Sequence, residues 1–202
     1  MKGVFVQTAI VREDLEKIMR TGVLGSWPKA LGFQPLQFKD KPLSFCSYVS
    51  EAYPEVYGNR QGVIFEPTKP VVYACPVDTT ELMRAGNFLP GYEQFIFNSV
   101  EAMLAKYPTS QDFKLAFQEY FRSLKPEEVY PKTSIVFTKR EAQMTYENDY
   151  CLEKSWNSGC NEVTFPKPMK VKNCRVFNLP AELRRFINPE KPLELSLMVQ
   201  TN

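Results

Sequence analysis

A single carboxylate, Glu162, stands at the head of a strand-like run and is the side chain best placed for chemistry in this sequence. A glycine-containing turn at residues 158–161 precedes it, and Pro166 and Pro168 follow the run. The alternating pattern of residues 162–165 predicts a strand that begins at the acid. The chain has no histidine, which excludes His-dependent triads and nearly all zinc chemistry. Catalysis by this chain would therefore rest on carboxylates, Tyr, Lys, Arg, amides or a cofactor.

The composition predicts one folded domain that spans residues 1–202. Hydrophobic residues make up 44% of the chain and charged residues 24%, and the net charge of +2 gives no support for a broad nucleic-acid-binding surface. Five scattered cysteines without C-x-x-C spacing predict reduced thiols. No apolar stretch approaches the roughly 20 residues of a membrane helix, and no signal segment opens the chain. We therefore expect a monomeric cytoplasmic protein with no membrane or metal partner.

Strand-like stretches occur at both ends and in the middle of the chain. They are rich in Val, Ile, Phe and Tyr and are bounded by Gly and Pro. The predicted strands are residues 3–10, 43–49, 61–65, 71–77, 133–138, 162–165 and 170–177. The short connection at residues 66–70 contains two prolines, and it predicts a hairpin between the strands on either side.

Helical periodicity occupies the segments between these strands. Leu15, Ile18 and Met19 share one face of a predicted helix that begins near Arg12 and ends at Gly22. The other predicted helical segments are 50–53, 81–84, 97–107, 113–124 and 179–187, so that residues 79–125 are mostly helical. Because helices do not alternate regularly with strands, we predict an α+β fold with a mainly antiparallel sheet.

Several segments resemble ADP-ribosyltransferases when they are taken in order. The run Phe-Val-Gln-Thr at residues 5–8, followed by a helix and Thr-Gly-Val-Leu at 21–24, is similar to the family's opening strand and helix. The family's paired central strands resemble residues 62–74, and Asn-Glu-Val-Thr-Phe at 161–165 resembles the strand that starts with its catalytic Glu. Further likeness lies in residues 134–138 and 171–177. The resemblance is closest to the DarT group of bacterial toxins, which modify bases in DNA.

This resemblance implies a fold, an activity and a catalytic residue. The fold is a split, mainly antiparallel sheet with inserted helices. The activity is mono-ADP-ribosyl transfer from NAD+, used as co-substrate without a metal, to a macromolecular acceptor. Glu162 takes the position of the catalytic carboxylate, which stabilises positive charge on the ribose. The acceptor that this likeness favours is DNA or RNA rather than protein, as in a toxin or phage-type effector.

The resemblance also assigns an NAD+ site. Gln7 stands at the family's conserved His, and Tyr48 or Tyr53 would stack on the cofactor while Arg60 meets its phosphates. The chain departs from the family in having no Arg at residues 43–57. The full set assigned to NAD+ is Gln7, Thr8, Ser44, Tyr48, Tyr53 and Arg60.

Two other function classes remain open at this point. The first is a non-catalytic binding or inhibitor protein on a degenerate ADP-ribosyltransferase fold, which the replacement of His by Gln7 favours. The second is a Mg²⁺-dependent nuclease, for which the sequence lacks paired carboxylates on adjacent predicted strands. Lys170 and Lys172 share one face of a predicted strand, where they would either meet a phosphate or lie in solvent.

Overall fold

The computed structural model describes residues 3–8, 12–24, 34–50, 62–84, 87–125 and 161–177. The strands of this part of the chain are β1 (Gly3–Thr8), β2 (Val23–Leu24), β3 (Leu43–Ser50), β4 (Gly62–Pro67), β5 (Tyr73–Cys75), β6 (Met83–Arg84), β7 (Asn87–Phe88), β8 (Glu162–Pro166) and β9 (Met169–Phe177). The helices are α1 (Arg12–Thr21), α2 (Val100–Lys106) and α3 (Ser110–Ser123), with 3-10 turns at Leu36–Phe38, Thr79–Leu82 and Tyr92–Phe95.

Seven of these strands form one sheet in the order β2-β9-β4-β1-β3-β8-β5, and every neighbouring pair is antiparallel. The predicted α+β class with a mainly antiparallel sheet is therefore confirmed. The finer prediction, a split sheet as in ADP-ribosyltransferases, is not confirmed: among the described residues hydrogen bonding runs continuously from β2 to β5. No helix among these residues is long and apolar enough to cross a membrane.

The first helix forms where the sequence pattern predicts it. Leu15, Ile18 and Met19 are each at most 3% exposed, so the predicted apolar face is the one that packs. Gly22 ends the helix at φ 63°, and its N–H donates to the carbonyl of Ile18 at 2.7 Å. A left-handed residue at this position costs least when it is glycine. The predicted C-cap is confirmed, and it directs the chain into β2.

The predicted hairpin between the strands on either side of residues 66–70 is wrong. Strand β4 pairs with β1 and β9, whereas β5 pairs with β8, so that β1, β3 and β8 lie between them. The connection instead bonds to β9 and the residue before it: Thr68 Oγ1 donates to the carbonyl of Lys170 at 2.5 Å, and Lys69 Nζ donates to that of Pro168 at 2.7 Å. Local turn chemistry does not fix which strands pair, because burial of the whole strand outweighs it.

The predicted helix at residues 81–84 is also wrong. A single 3-10 turn, Thr79–Leu82, leads directly into β6, which pairs with β7. The N–H of Leu89 donates to the carbonyl of Leu82 at 2.8 Å, and both side chains are fully buried. Pairing between these two segments satisfies their backbone groups where a helix was expected.

The two predicted long helices of this region are confirmed, and side-chain caps set where they begin. Ser99 Oγ accepts from the N–H of Ala102 at 3.1 Å before α2. Thr109 and Asp112 form a reciprocal capping box before α3. Phe95 is the centre of the layer that these helices build, because its ring contacts four other aromatic rings. Those rings are Tyr107, Phe113, Phe117 and Tyr120.

The last two strands of the described chain, β8 and β9, lie where the sequence predicts them. β8 begins at Glu162 and β9 ends at Phe177, as predicted. The predicted strand at 133–138 and the predicted helices at 50–53 and 179–187 lie outside the described residues, apart from Ser50 at the end of β3. They remain predictions.

Replacing Phe95 by Ala should destabilise the fold by about 3–5 kcal/mol, because a fully buried ring is lost and its neighbours keep a cavity. Leu115→Ala is the matched control, since Leu115 on α3 is 52% exposed and its loss should cost less than about 0.5 kcal/mol. Urea unfolding of both variants measures the difference. Equal costs would contradict the placement of Phe95 in the core.

Candidate functional site

Glu162 is the first residue of β8, which lies between β3 and β5. Its side chain is 8% exposed, so the carboxyl group is buried. Cys75 of β5 is its paired residue on one side. On the other side Cys46 pairs with Val163, and continuation of that register places Ser47 across from Glu162. The predicted catalytic carboxylate therefore lies among three strands and away from bulk water.

The side chain of Asn161 extends the pairing between β3 and β8 by one position. Its Oδ1 accepts from the N–H of Tyr48 and its Nδ2 donates to the carbonyl of Tyr48, both at 2.7 Å. An amide side chain that donates and accepts in this way replaces a backbone partner. Asn161 thereby fixes the start of β8 immediately before Glu162.

Two hydroxyl groups hold the carboxyl of Glu162. Tyr73 Oη donates to Glu162 Oε1, and Thr79 Oγ1 donates to the same oxygen at 2.8 Å. Tyr73 and Thr79 are both fully buried. Hydrogen bonds from hydroxyls to a carboxylate are strong in an interior from which water is excluded.

Burial and, to a smaller extent, the carboxylate of Asp78 raise the pKa of Glu162 from its ordinary value of 4.5 to about 8. The hydrogen bonds from Tyr73 and Thr79 lower the pKa and offset part of this rise. The site thus holds a carboxylic acid whose proton is exchangeable near neutral pH. Such a perturbed carboxyl is a common sign of a functional site, although structural clusters show the same behaviour.

A row of paired residues runs across the sheet from β4 to β5 and includes Glu162. Ile64 of β4 pairs with Val6 of β1, and Val6 pairs with Ser47 of β3. Since directly opposed residues of antiparallel strands point to the same face, this row continues through Glu162 to Cys75. Val6 and Ser47, which were not predicted site residues, are thus on the same face as the acid.

The residues predicted to bind NAD+ do not share that face. Phe5 packs edge-on against both Tyr48 and Phe165, at 5.4 and 5.2 Å between ring centroids. Ser44 pairs with Phe165, and Gln7 lies two positions after Phe5. Gln7, Ser44 and Tyr48 therefore lie on one face of the sheet and Glu162 on the other. The structure does not bring the predicted catalytic and cofactor residues together.

Gln7 and Ser44 are interior residues, at 3% and 2% exposure. Gln7 Nε2 donates to the carbonyl of Phe45 at 3.5 Å, the long limit for such a bond. Ser44 Oγ is buried without a hydrogen-bond partner among the described residues. The remaining predicted contacts are less defined: only the backbone of Thr8 is described, paired with Gly62, while Tyr53 and Arg60 lie outside the described residues.

Sequence reasoning missed Tyr73 and Thr79, the two direct partners of the acid. They precede Glu162 by 89 and 83 residues, so no local pattern links them to it. The one available signal was the presence of Tyr73, Asp78 and Thr79 in a stretch, residues 71–79, that is otherwise apolar. A buried hydroxyl needs a partner, and Glu162 meets that need.

Comparison with known proteins adds no assignment to this site. No protein-family model matches the chain, and neither curated proteins nor solved structures yield a match. Among the residues that the structure describes, no group of three or more Cys, Asp or Glu side chains is arranged to hold a metal ion. The chemistry of the site therefore has to be inferred from its own geometry.

Glu162→Gln should change how the stability of the protein depends on pH. Between pH 4.5 and about 8 the folded protein keeps a proton that the unfolded chain has released. The wild-type free energy of unfolding should therefore fall as pH rises through this window, by up to about 1.4 kcal/mol per pH unit, and level off above it. Gln keeps the volume and an acceptor oxygen but does not titrate, so the variant should lack this slope.

Urea unfolding of both proteins at several pH values measures the two slopes. Every other titrating group is common to both proteins, so the difference between the curves reports Glu162 alone. Parallel curves from pH 5 to pH 9 would show that the carboxyl does not retain its proton in the folded state.

Proposed function

We propose that this protein transfers ADP-ribose from NAD+ to a macromolecular acceptor, DNA or RNA in preference to protein, with Glu162 as the catalytic carboxylate. The proposal joins the resemblance of residues 161–165 to the catalytic strand of ADP-ribosyltransferases with the environment of that carboxyl. It also takes up the finer fold assignment, an ADP-ribosyltransferase-like sheet, for the residues that surround it.

One observation carries the proposal: Glu162 is a buried carboxyl on β8, between the edge strand β5 and β3, and β1 follows β3 in the sheet. The segment that resembles the family's opening strand forms β1, and Ser44 and Tyr48, which were assigned to NAD+, lie on β3. The pairing order is β1, β3, β8, so these two strands lie next to the strand of Glu162. Under this proposal the ligand reaches the acid from the face that Val6, Ser47 and Glu162 share.

The chemistry requires a carboxylate more than any other group. The bond between ribose C1′ and the nicotinamide nitrogen breaks, and its electron pair leaves with nicotinamide as the neutral base. Positive charge builds on the ribose, where an adjacent carboxylate stabilises it. A nucleophile of the acceptor then bonds to C1′ and loses a proton, so that NAD+ and the acceptor yield the ADP-ribosylated acceptor, nicotinamide and one proton.

The raised pKa of Glu162 suits a co-substrate whose nicotinamide ring is positively charged. A cation near the carboxyl favours its ionised form and lowers its pKa. Together with the hydroxyl donors, the positive charge thereby offsets the energy that burial costs the charged acid. The function consequently predicts that kcat/KM for NAD+ rises with pH up to about 8, as Glu162 of the free enzyme loses its proton.

Transfer is tested with labelled NAD+ and separate pools of DNA, RNA and protein. We expect label in a nucleic-acid pool with the wild type, and none with Glu162→Ala or Glu162→Gln, because the ribosyl cation loses its carboxylate. Glu119→Ala is the matched control, since Glu119 is exposed on α3 and should keep full activity. Circular dichroism checks that each variant is folded.

Wild-type turnover that survives in both Glu162 variants would exclude the catalytic role of Glu162. Label in the protein pool alone would overturn the nucleic-acid acceptor but retain the transferase. Label in no pool would overturn the transferase assignment itself.

A second candidate is a non-catalytic binding protein on the same fold. The interior packing of Gln7 and Ser44, on the face opposite Glu162, favours it, because the predicted cofactor contacts are then absent from the acid's side. Melting with and without millimolar NAD+ separates the two candidates. Binding to the folded protein should raise the Tm if the chain is a transferase. An unchanged Tm, together with unlabelled pools, would favour the binding protein.

A further inference from the structure

The partners of Glu162 come from one short stretch of chain. Tyr73 lies in β5 and Thr79 opens the 3-10 turn that follows it. Both side-chain hydroxyls donate to Oε1 of the carboxyl. With the backbone hydrogen bond from Thr79, these donors restrict how far the carboxyl group can move or rotate.

Tyr73 is itself held in place. Its N–H donates to Thr164 Oγ1 at 3.2 Å, and that hydroxyl donates to the carbonyl of Tyr73 at 3.2 Å. The ring stacks on Phe38 with 4.9 Å between centroids and 21° between planes. Backbone and ring are thus fixed independently, so the hydroxyl cannot follow a displaced carboxyl without breaking other contacts.

In the described part of the chain, the charged or titratable groups that act on Glu162 are Asp78, Tyr73, Cys75 and Cys46. Asp78 precedes Thr79, while Cys75 and Cys46 lie on the strands to either side. Burial and the charge of Glu162 raise the pKa of Tyr73 and of Cys46. Burial does the same for Cys75, with a smaller contribution from Glu162. Tyr73, Cys46 and Cys75 therefore stay neutral, and Tyr73 and Thr79 remain hydroxyl donors across the working range of pH.

We propose that Tyr73 and Thr79 are positioning residues for the reaction: together they hold the Glu162 carboxyl in one orientation and favour its charged form. The inference rests on the proposed function, because it assigns to both hydroxyls a part in the use of that carboxylate. Neither residue need touch NAD+ or the acceptor. Their effect reaches the ribose through Glu162.

Tyr73→Phe and Thr79→Val remove one donor each and keep the shape of the side chain. Hydrogen bonds to charged groups are strong enough that we expect kcat to fall by about 10- to 100-fold in each variant. KM for NAD+ should stay close to the wild-type value, and the acid limb of the pH profile should move to higher pH. Thr79→Ser keeps the hydroxyl, so both kcat and the acid limb of the pH profile should stay at the wild-type values.

Tyr120→Phe is the matched control for the lost tyrosine hydroxyl. Tyr120 is 8% exposed and donates to the carbonyl of Pro90 at 2.9 Å, within the helical layer. The Tyr120→Phe variant should have a lower Tm but the same pH profile of activity as the wild type. If Tyr73→Phe and Thr79→Val behave like this control, with kcat and the acid limb unchanged, their role is only structural and the inference is wrong.

Failure of the proposed function can be told apart from failure of this inference. A wild-type protein that turns over no NAD+ removes the function. The effect of the two hydroxyls on the carboxyl is then measured as the pKa of Glu162, which carboxyl ¹³C NMR gives without any enzymatic activity. A higher pKa of Glu162 in Tyr73→Phe and Thr79→Val than in wild type supports the inference that both hydroxyls favour the charged carboxylate. An unchanged pKa overturns that inference.

Discussion

A carboxyl group that is buried between strands has to be satisfied by its neighbours, and the arrangement around Glu162 follows from that constraint. Hydroxyls from Tyr73 and Thr79 solvate it in place of water. Asn161 completes the pairing of β3 with β8 just before it. If the carboxyl were left without donors, desolvation would cost several kcal/mol, which is comparable to the stability of a whole domain. The position of β5 at the edge of the sheet thus serves the acid as well as the core.

The burial of Glu162 and its hydrogen bonds have opposite effects on the charge of the carboxyl. Removing water favours the neutral acid, while the hydroxyl donors favour the carboxylate. The balance lies close to neutral pH, so a modest change in the local field decides which form is present. A ligand with positive charge supplies such a change, and a neutral ligand does not. Selectivity for a cationic ring is therefore available to this site without a separate acidic residue to bind it.

Much of the fold was predictable because it depends on local pattern. The apolar stripe of α1, the glycine that ends it and the alternation of β8 and β9 each specify an element within about ten residues. The predictions were wrong where the structure of a segment depends on a pairing partner that is distant in sequence. Nothing between residues 66 and 70 reveals that β5 pairs with β8 at the far side of the sheet. The short strands β6 and β7 likewise depend on each other and not on local propensity.

The candidate site was predictable only in part, for a related reason. Glu162 was singled out from its place at the start of a predicted strand and from its likeness to a catalytic motif, and the structure confirms that a strand begins there. The face on which each residue of β1 and β3 lies depends on register, and a difference of one residue exchanges the two faces. Gln7 and Ser44 were assigned by likeness of motif, whereas Val6 and Ser47 occupy the acid's side. The hydroxyl partners were not foreseen, since chain folding alone brings them to the carboxyl.

The stacking of Phe38 on Tyr73 has a consequence for how water reaches the acid. Phe38 ends a 3-10 turn on the segment before β3, and it covers the ring whose hydroxyl holds Glu162. Its cover over the tyrosine ring limits the access of water from that side. A carboxyl from which water is excluded favours its neutral form, so this aromatic contact contributes to the raised pKa of Glu162.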